Sequence, residues 1–150
     1  MAQPFTLQPL LDLMQTRADE ATRQLGLLIA AEQNQRSRLE MLVQYRSEYA
    51  QQLHDASANG VTRQIMRNYQ DFLARIDAAI TQQSAVVDES ERSTQAGQEH
   101  WQKQNTRLKA IDALSQRHDA RERYREGRQE QKLLDEFSTR KFSATRTQDK

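Results

Sequence analysis

The chain has 150 residues, a formal net charge of +1 and a mean hydropathy of -0.97, and charged residues make up 29% of it. Hydrophobic residues make up only 36%, which is low for a compact globular core. The absence of cysteine excludes disulfides and thiolate chemistry, and no run of residues is apolar enough for a transmembrane helix. Because the N-terminus has no signal-peptide pattern, we expect a cytoplasmic protein without membrane insertion.

The first predicted element is a long helix over about residues 7–57. Both prolines, Pro4 and Pro9, lie in the first ten residues, so nothing after them forbids helix. Mainly apolar residues then recur at alternating spacings of three and four over six heptads, which is typical of a coiled-coil seam. The seam positions are Leu11, Met14, Ala18, Ala21, Leu25, Leu28, Glu32, Gln35, Leu39, Leu42, Arg46, Tyr49 and Leu53.

The Asn59-Gly60 pair near the middle of the chain predicts a turn over 58–61. Gly60 suits the left-handed residue that ends a helix, and Thr62 suits the N-cap of the next one. A second helix is predicted over about 62–137, followed by a frayed tail over 138–150, and its polar stretch 88–100 has the weakest pattern. The seam positions are Met66, Tyr69, Leu73, Ile76, Ile80, Gln83, Val87, Ser90, Thr94, Gly97, Trp101, Gln104, Leu108 and Ile111.

Folding the chain back at this turn aligns the two seams in antiparallel register. Gln35 then faces Gln83 in a polar layer that can fix the register, and Arg46 has Asp71 nearby as its charge partner. Because the two repeats are independent, their agreement predicts an all-α fold. This fold is a long two-stranded antiparallel coiled-coil hairpin forming a single domain, with helix 2 extending beyond helix 1.

The second predicted helix is longer than the first and extends past its N-terminal end. From about residue 111 it is therefore predicted to have no partner within the chain. Residues 115–131 alternate in charge sign without an apolar stripe, which indicates a solvated single helix. The motif "KLLDEF" at 132–137 follows, with three large apolar side chains. From Ser115 onward the chain carries ten basic and seven acidic residues, so this end is mildly basic.

Four apolar residues of helix 2 repeat every seven positions, each one position before a seam residue; we call Ile65, Phe72, Ala79 and Val86 the Phe72 strip. A two-stranded coil leaves such flanking positions partly exposed, and a contiguous exposed apolar surface often marks a partner site. The alternative is that the strip only widens the seam, as three apolar positions per heptad do in helix bundles.

No pattern of catalytic or metal-binding residues stands out. None of the three histidines has a second histidine or a cysteine at ligand spacing, and a two-helix coil offers Asp88, Glu89 and Glu91 no cleft of the kind that catalytic carboxylates need. We therefore expect no enzyme, no cofactor and no metal. Tyr124 among arginines could suggest nucleic-acid binding, but Glu122 and Glu126 interrupt the basic run and favour a solvated helix without nucleic acid.

The chain resembles the FliJ family, the small coiled-coil component of the bacterial flagellar type III export apparatus. The likeness is carried by the total length, the mid-chain "NG" turn, "NYQDF" at 68–72, "AAI" at 78–80 and "LLDEF" at 133–137. It implies two long antiparallel helices, like the central stalk of rotary ATPases, and no catalysis. It also implies insertion of the terminal end into the hexameric export ATPase, contact with the export gate protein, and handling of export chaperones for flagellar assembly and motility.

The resemblance also assigns contacts to particular positions. The gate-contacting positions of the family map onto Phe72, Ile76, Ala79 and Gln83, the last of which replaces a histidine of the family pattern. Ile65 and Val86 join them as members of the Phe72 strip. For the ATPase ring, the expected contacts at the free end are Leu133, Leu134, Phe137, Arg121 and Arg125.

These expectations define one leading function and two alternatives. The leading function is a non-catalytic stalk and adaptor, monomeric alone, that couples ATP hydrolysis to proton-driven export at the inner-membrane side of the flagellar base. The first alternative is a generic coiled-coil tether that self-associates through the Phe72 strip. The second is a nucleic-acid-binding rod that uses the basic end, and steeply salt-dependent DNA binding would favour it.

Overall fold

The computed structural model describes residues 3–148, which form two α-helices and no strand. Helix α1 spans Gln8–Asn59 and helix α2 spans Arg63–Gln148. Pro9 lies in the first turn of α1, where its missing N–H leaves no hydrogen bond unmade. The all-α prediction is confirmed, and the polar stretch 88–100 is continuous helix.

Helix α2 continues through the segment for which the sequence predicted a frayed tail from residue 138. No glycine or proline follows Gly127, so nothing in the sequence interrupts the helix there. The hydroxyl of Thr139 donates to the carbonyl of Asp135 at 2.8 Å, and Thr145 and Thr147 make the same bond one turn back. Each of these hydroxyl groups is hydrogen-bonded to a backbone carbonyl of the same helix, which is compatible with a helix that reaches Gln148.

The turn has the caps that the sequence predicted. Gly60 has a φ of +84°, a left-handed conformation, and its N–H donates to the carbonyl of Ser57 at 3.3 Å. Thr62 precedes α2, and its hydroxyl accepts the N–H of Ile65 at 3.3 Å. This is the N-cap geometry in which a side-chain oxygen satisfies an otherwise unpaired amide of the first turn.

The chain divides into two compact units, whereas the sequence predicted a single domain. The first, here the turn unit, is Asp19–Lys103 and contains the hairpin turn. The second, here the terminal unit, combines Met1–Ala18 with Gln104–Lys150. Each unit contains a segment of both helices, and each is described by itself below.

In the turn unit, the predicted heptad positions of both helices are buried or half-buried, which confirms the seam. Ala21, Ile76 and Val87 are buried. The amide nitrogen of Gln83 donates both to the carbonyl of Gln35, at 3.0 Å, and to its side-chain oxygen, at 2.8 Å. The predicted polar layer is therefore a pair of hydrogen-bonded amides within the seam, where an unpaired amide would cost free energy.

The predicted charge partner of Arg46 was wrong. Its guanidinium pairs with Asp77, one helical turn beyond the facing Leu73, and not with Asp71. A long arginine side chain reaches along the neighbouring helix, so the residue directly opposite need not be its partner. The hydrogen bond from Arg46 to Asp77 and the negative charge of Asp77 raise the pKa of Arg46.

The polar half of the turn unit is held by hydrogen bonds between the two helices. The hydroxyl of Thr94 donates to the carbonyl of Leu28 at 3.3 Å, and the indole N–H of Trp101 donates to the hydroxyl of Thr22 at 2.9 Å. Arg36 forms an ion pair with Glu91. Specific polar contacts thus add to apolar packing where the heptad pattern of α2 is weakest.

The terminal unit differs from the prediction, because α2 has a partner beyond residue 111. The non-helical segment Gln3–Leu7, here the N-terminal strap, lies on α2. The backbone N–H of Gln3 donates to the carboxylate of Glu122 at 3.2 Å, and His118 donates to the carbonyl of Gln3 at 2.8 Å. The rings of Phe5 and His118 are 5.5 Å apart.

The strap explains why the predicted solvated helix over 115–131 begins later than expected. Glu122 is only 7% exposed, and Ser115 and His118 are half-buried. A non-helical chain advances up to about 3.3 Å per residue against about 1.5 Å in a helix, so a few strap residues cover a longer stretch of α2 than a helical turn would. Full solvation of α2 starts only after Glu122.

The glycines of the turn unit give a prediction for its stability. Gly26→Ala should raise the free energy of unfolding by about 0.5–1 kcal/mol, since alanine favours helix and a Cβ there meets no atom within 4 Å. Gly60→Ala should lower it by about 1–2 kcal/mol, because a left-handed φ strains an L-residue. Urea unfolding followed by circular dichroism measures both.

Gly97→Ala is the control for Gly26→Ala, because it gives the same gain in helix propensity at a crowded position. A Cβ on Gly97 would lie 2.5 Å from Cδ1 of Leu28, which must rotate away. The gain at Gly97 should therefore be smaller than at Gly26. Equal gains at both glycines would contradict close packing of α1 on α2 at this point.

Candidate functional site

The Phe72 strip is partly exposed along α2 of the turn unit. Ile65 is 44% and Val86 is 37% exposed, whereas Phe72 and Ala79 are half-buried. The strip is thus partly covered by the seam and partly exposed to solvent. Such a strip can lie against a partner while its inner edge packs on the hairpin.

Phe72 belongs to a cluster of four aromatic rings contributed by both helices. Its ring centroid lies 4.4 Å from that of Tyr49 and 6.3 Å from that of Tyr45, the latter pair edge to face at 74°. Tyr49 also packs on Tyr69 at 5.1 Å, which confirms the facing pair that the heptads predict. These contacts fix the orientation of the Phe72 ring, so the strip is a preformed surface.

Two of the residues assigned to gate contact by resemblance lie beneath the strip. Ile76 is only 6% exposed and lies in the seam. Gln83 is half-buried, and its amide is engaged by Gln35. Both residues therefore support the strip from below, while the accessible apolar atoms belong to the flanking positions.

Helix α1 adds exposed apolar residues that the sequence reasoning missed. Tyr45 packs on Phe72 and is half exposed to solvent, and Met41 lies one turn before it on α1 with most of its side chain exposed. A signal was present: Tyr45 immediately precedes the seam residue Arg46, as Phe72 immediately precedes Leu73. Tyr45 meets only the positional half of the rule that defined the strip, because the residues seven positions before and after it are polar.

In the terminal unit, the residues predicted for the ATPase ring lie on a bare stretch of α2. The described side chains from Arg123 to 147 are all exposed, including the apolar Leu133, Leu134 and Phe137. Arg121 is exposed, and Arg125 forms an ion pair with Glu122 at 3.5 Å. The predicted contacts of this end are thus all accessible, although Arg125 already has a carboxylate partner.

The described residues show no cluster of three or more histidine, cysteine, aspartate or glutamate residues that could hold a metal ion. No helix in the same part of the chain is long and apolar enough to cross a membrane.

Comparison with known proteins decides the family. Residues 3–147 match the family model described as the flagellar FliJ protein. The flagellar FliJ protein of Salmonella typhi is 31% identical over 140 residues, which cover 93% of this chain and 95% of that protein. The flagellar FliJ protein of Escherichia coli K12 is 30% identical with the same coverage.

The chain belongs to the FliJ family. The resemblance carried by the turn and by the C-terminal motif is confirmed, and membership relates the chain to flagellar type III protein export. A solved structure from Chlamydia trachomatis, described as a YscO homologue, is similar with a TM-score of 0.59 at 16% identity. That likeness covers 91% of this chain and 93% of the other, and it concerns the fold alone.

Proposed function

We propose that this FliJ family member is a non-catalytic stalk and adaptor of the flagellar type III export apparatus. It binds the hexameric export ATPase and the cytoplasmic domain of the export gate protein, and it assists export chaperones. It acts as a monomer in the cytoplasm, peripheral to the inner membrane at the flagellar base. The observation that carries the proposal is the preformed Phe72 strip on the hairpin of a chain from this family.

The strip is the proposed surface for the export gate. Ile65 and Val86 offer exposed apolar atoms, and Phe72 and Ala79, which lie between them, are half-buried. A ring already held by neighbouring tyrosines loses little conformational freedom on binding, which favours affinity. Ile76 and Gln83 contribute by keeping the two helices in the register that presents the strip.

The bare end of α2 is the proposed surface for the ATPase ring. Leu133, Leu134 and Phe137 are exposed on it without a covering element among the described residues. Arg121 and Arg125 lie further back on the same helix, two to three turns or more before these apolar residues. A slender charged helix with a few apolar anchors suits insertion into a channel, where anchors supply affinity and charges keep the free chain in solution.

A binding experiment tests the proposal as a whole. The full chain is immobilised and presented separately with the purified export ATPase and with the purified cytoplasmic domain of the gate protein. We expect both to bind, and we expect Phe72→Ala to weaken only the gate. If neither protein binds, or if the chain sediments as a stable dimer at micromolar concentration, a self-associating tether describes it better.

The ATPase surface gives a prediction of its own. Leu133→Ala combined with Phe137→Ala should reduce stimulation of the export ATPase at least tenfold, since buried interface anchors contribute about 2 kcal/mol each. Helicity should remain unchanged, because both side chains are exposed in the free chain. Leu27→Ala, at an equally exposed leucine of α1, is the control and should leave stimulation intact. Full stimulation by the double variant would remove this end from the proposal.

A further inference from the structure

Five cationic side chains form a row along one side of α2 in the terminal unit. They follow one another at spacings of four, four, three and four residues, so they lie on the same side of the helix. All five are exposed, and all but Arg117 line one shallow hollow together with Tyr124. We call this row the basic face, and it consists of Arg117, Arg121, Arg125, Arg128 and Lys132.

The acidic residues of the same stretch lie on another side of the helix. Asp119, Glu122, Glu126 and Glu130 are also spaced three or four residues apart. At about 100° per residue, the centre of their row lies roughly 140° around the helix axis from that of the basic face. In sequence order these carboxylates interrupt the arginines, and that order favours a solvated helix without nucleic acid. On the helix, however, they leave the basic face continuous.

Most of the positive charge on the basic face is not neutralised within the protein. Arg125 forms an ion pair with Glu122, whereas the other four cations form none among the described residues. One carboxylate, that of Asp135, lies at the C-terminal end of the hollow, where it accepts the side-chain amide of Gln131 at 3.1 Å. Like charges one turn apart destabilise a helix, so an anion bound along this face stabilises it.

An aromatic ring lies among these cations. Tyr124 is 69% exposed, and the guanidinium of Arg128 lies 5.9 Å from the centroid of its ring. The arginine occupies one face of the ring, so the other face is open to stack on a flat group. Proteins hold single-stranded nucleic acid with this combination, in which cations contact the phosphates and an exposed ring stacks on a base.

A membrane surface or a protein partner fits the basic face less well. Between Arg117 and Lys132 the chain has no aliphatic side chain larger than that of Ala120. The face therefore has no aliphatic group to insert into a membrane or to fill a pocket of a protein. The exposed Leu133 and Phe137 lie on the side of the acidic row. A flexible polyanion needs no such group, because the release of counterions drives its binding.

We propose that the basic face binds single-stranded nucleic acid, with successive phosphates along the row of cations and one base stacked on Tyr124. This function goes beyond the proposed role in export and does not depend on it. Arg121 and Arg125 are also proposed contacts of the export ATPase, so nucleic acid and the ATPase should compete for this part of α2.

Fluorescence anisotropy of a labelled oligothymidine, titrated with the full chain, tests the proposal. With five phosphate contacts, the logarithm of the binding constant should fall by about 3.5 for each tenfold rise in salt, which is roughly a hundredfold loss between about 50 and 200 mM. Arg121→Ala combined with Arg128→Ala should weaken binding by at least about tenfold at low salt and reduce this slope by about 1.4.

Variants of Tyr124 test the stacked base. Tyr124→Ala should weaken oligothymidine binding about tenfold without changing the salt slope, whereas Tyr124→Phe keeps the ring and should bind as the wild type does. Phe137→Ala is the matched control, because Phe137 is 66% exposed but lies on the other side of the helix. It should leave oligothymidine binding unchanged.

A second control separates the position of the charges from their number. Arg67→Ala combined with Arg75→Ala removes two exposed arginines from α2 of the turn unit, and so changes the net charge as much as the double variant of the basic face does. This control should bind oligothymidine as the wild type does. Circular dichroism should show every variant as helical as the wild type, because all the substituted side chains are exposed.

Several outcomes would overturn the proposal. If the wild-type chain does not bind oligothymidine at low salt, or if the basic-face variants bind like the controls, the face is only a solvated surface. If Tyr124→Ala binds as tightly as the wild type, or if polyglutamate displaces the probe as well as unlabelled oligothymidine does, the face binds acidic chains in general.

The remaining outcomes identify another occupant. If vesicles that contain phosphatidylglycerol bind the chain while oligothymidine does not, the face lies on a membrane surface. If sedimentation at low salt shows a dimer that Arg121→Ala with Arg128→Ala dissociates, a second copy covers the face. The proposed role in export is tested separately by binding and stimulation of the ATPase, and it stands or fails without regard to these results.

Discussion

Ile76→Ala is expected to lower the free energy of unfolding by about 2–4 kcal/mol. Ile76 is 6% exposed in the seam of the turn unit, so its truncation removes buried apolar surface and leaves a cavity. The helices close such a cavity only partly, because neighbouring seam residues and the Gln35–Gln83 pair hold them in register. Urea unfolding followed at 222 nm measures the loss.

Ile65→Ala is the matched control, because it removes the same atoms from an exposed position. Ile65 belongs to the Phe72 strip and is 44% exposed, so we expect a loss of less than about 1 kcal/mol. For binding to the gate domain, the order of the two effects should reverse. The Ile65→Ala variant should bind the gate domain more weakly than the folded Ile76→Ala variant does. Equal losses of stability would show that the strip belongs to the core.

Glu122→Ala is expected to release the N-terminal strap. The buried carboxylate accepts the N–H of Gln3, and a hydrogen bond to a charged group contributes about 1.5–3 kcal/mol. Hydrogen exchange at the amide of Gln3 should accelerate at least tenfold, since its protection depends on this contact. Exchange within the turn unit, to which Glu122 does not belong, is the internal reference for this change.

Two variants separate the carboxylate from other effects of the change. Glu122→Gln keeps an oxygen acceptor without the charge. The exchange rate of the Gln3 amide in this variant should lie between that of the wild type and that of Glu122→Ala. Glu130→Ala removes an exposed carboxylate two turns further along α2 and should leave the strap in place. Unchanged protection of Gln3 in Glu122→Ala would mean that His118 and Phe5 hold the strap without Glu122.

The parts of the fold that could be predicted are those that a periodic sequence specifies. Heptad spacing determines which face of each helix is covered, and the left-handed glycine marks where the chain reverses. Together they predict the register closely enough to identify the Gln35–Gln83 and Tyr49–Tyr69 pairs from the sequence alone. The Phe72 strip followed from the same periodicity.

The parts that could not be predicted lack periodicity or depend on side-chain reach. A strap of a few non-helical residues has no repeat that links it to Glu122, so α2 was expected to be solvated there. Arg46 reaches Asp77 because a flexible side chain selects its partner after the backbones are in place. The contact of Tyr45 with Phe72 depends on how two helix surfaces meet, which residue spacing along one helix does not describe.

The one tryptophan of the chain gives the turn unit an optical label of its own. The indole of Trp101 is half-buried and donates to Thr22, so separation of the helices there changes the polarity around the ring and shifts its emission. Circular dichroism measures the helical content of both helices together. The Trp101 emission instead reports the local environment of one side chain in the turn unit. Coincidence or divergence of the two melting curves therefore shows whether the units unfold as one cooperative system or in separate steps.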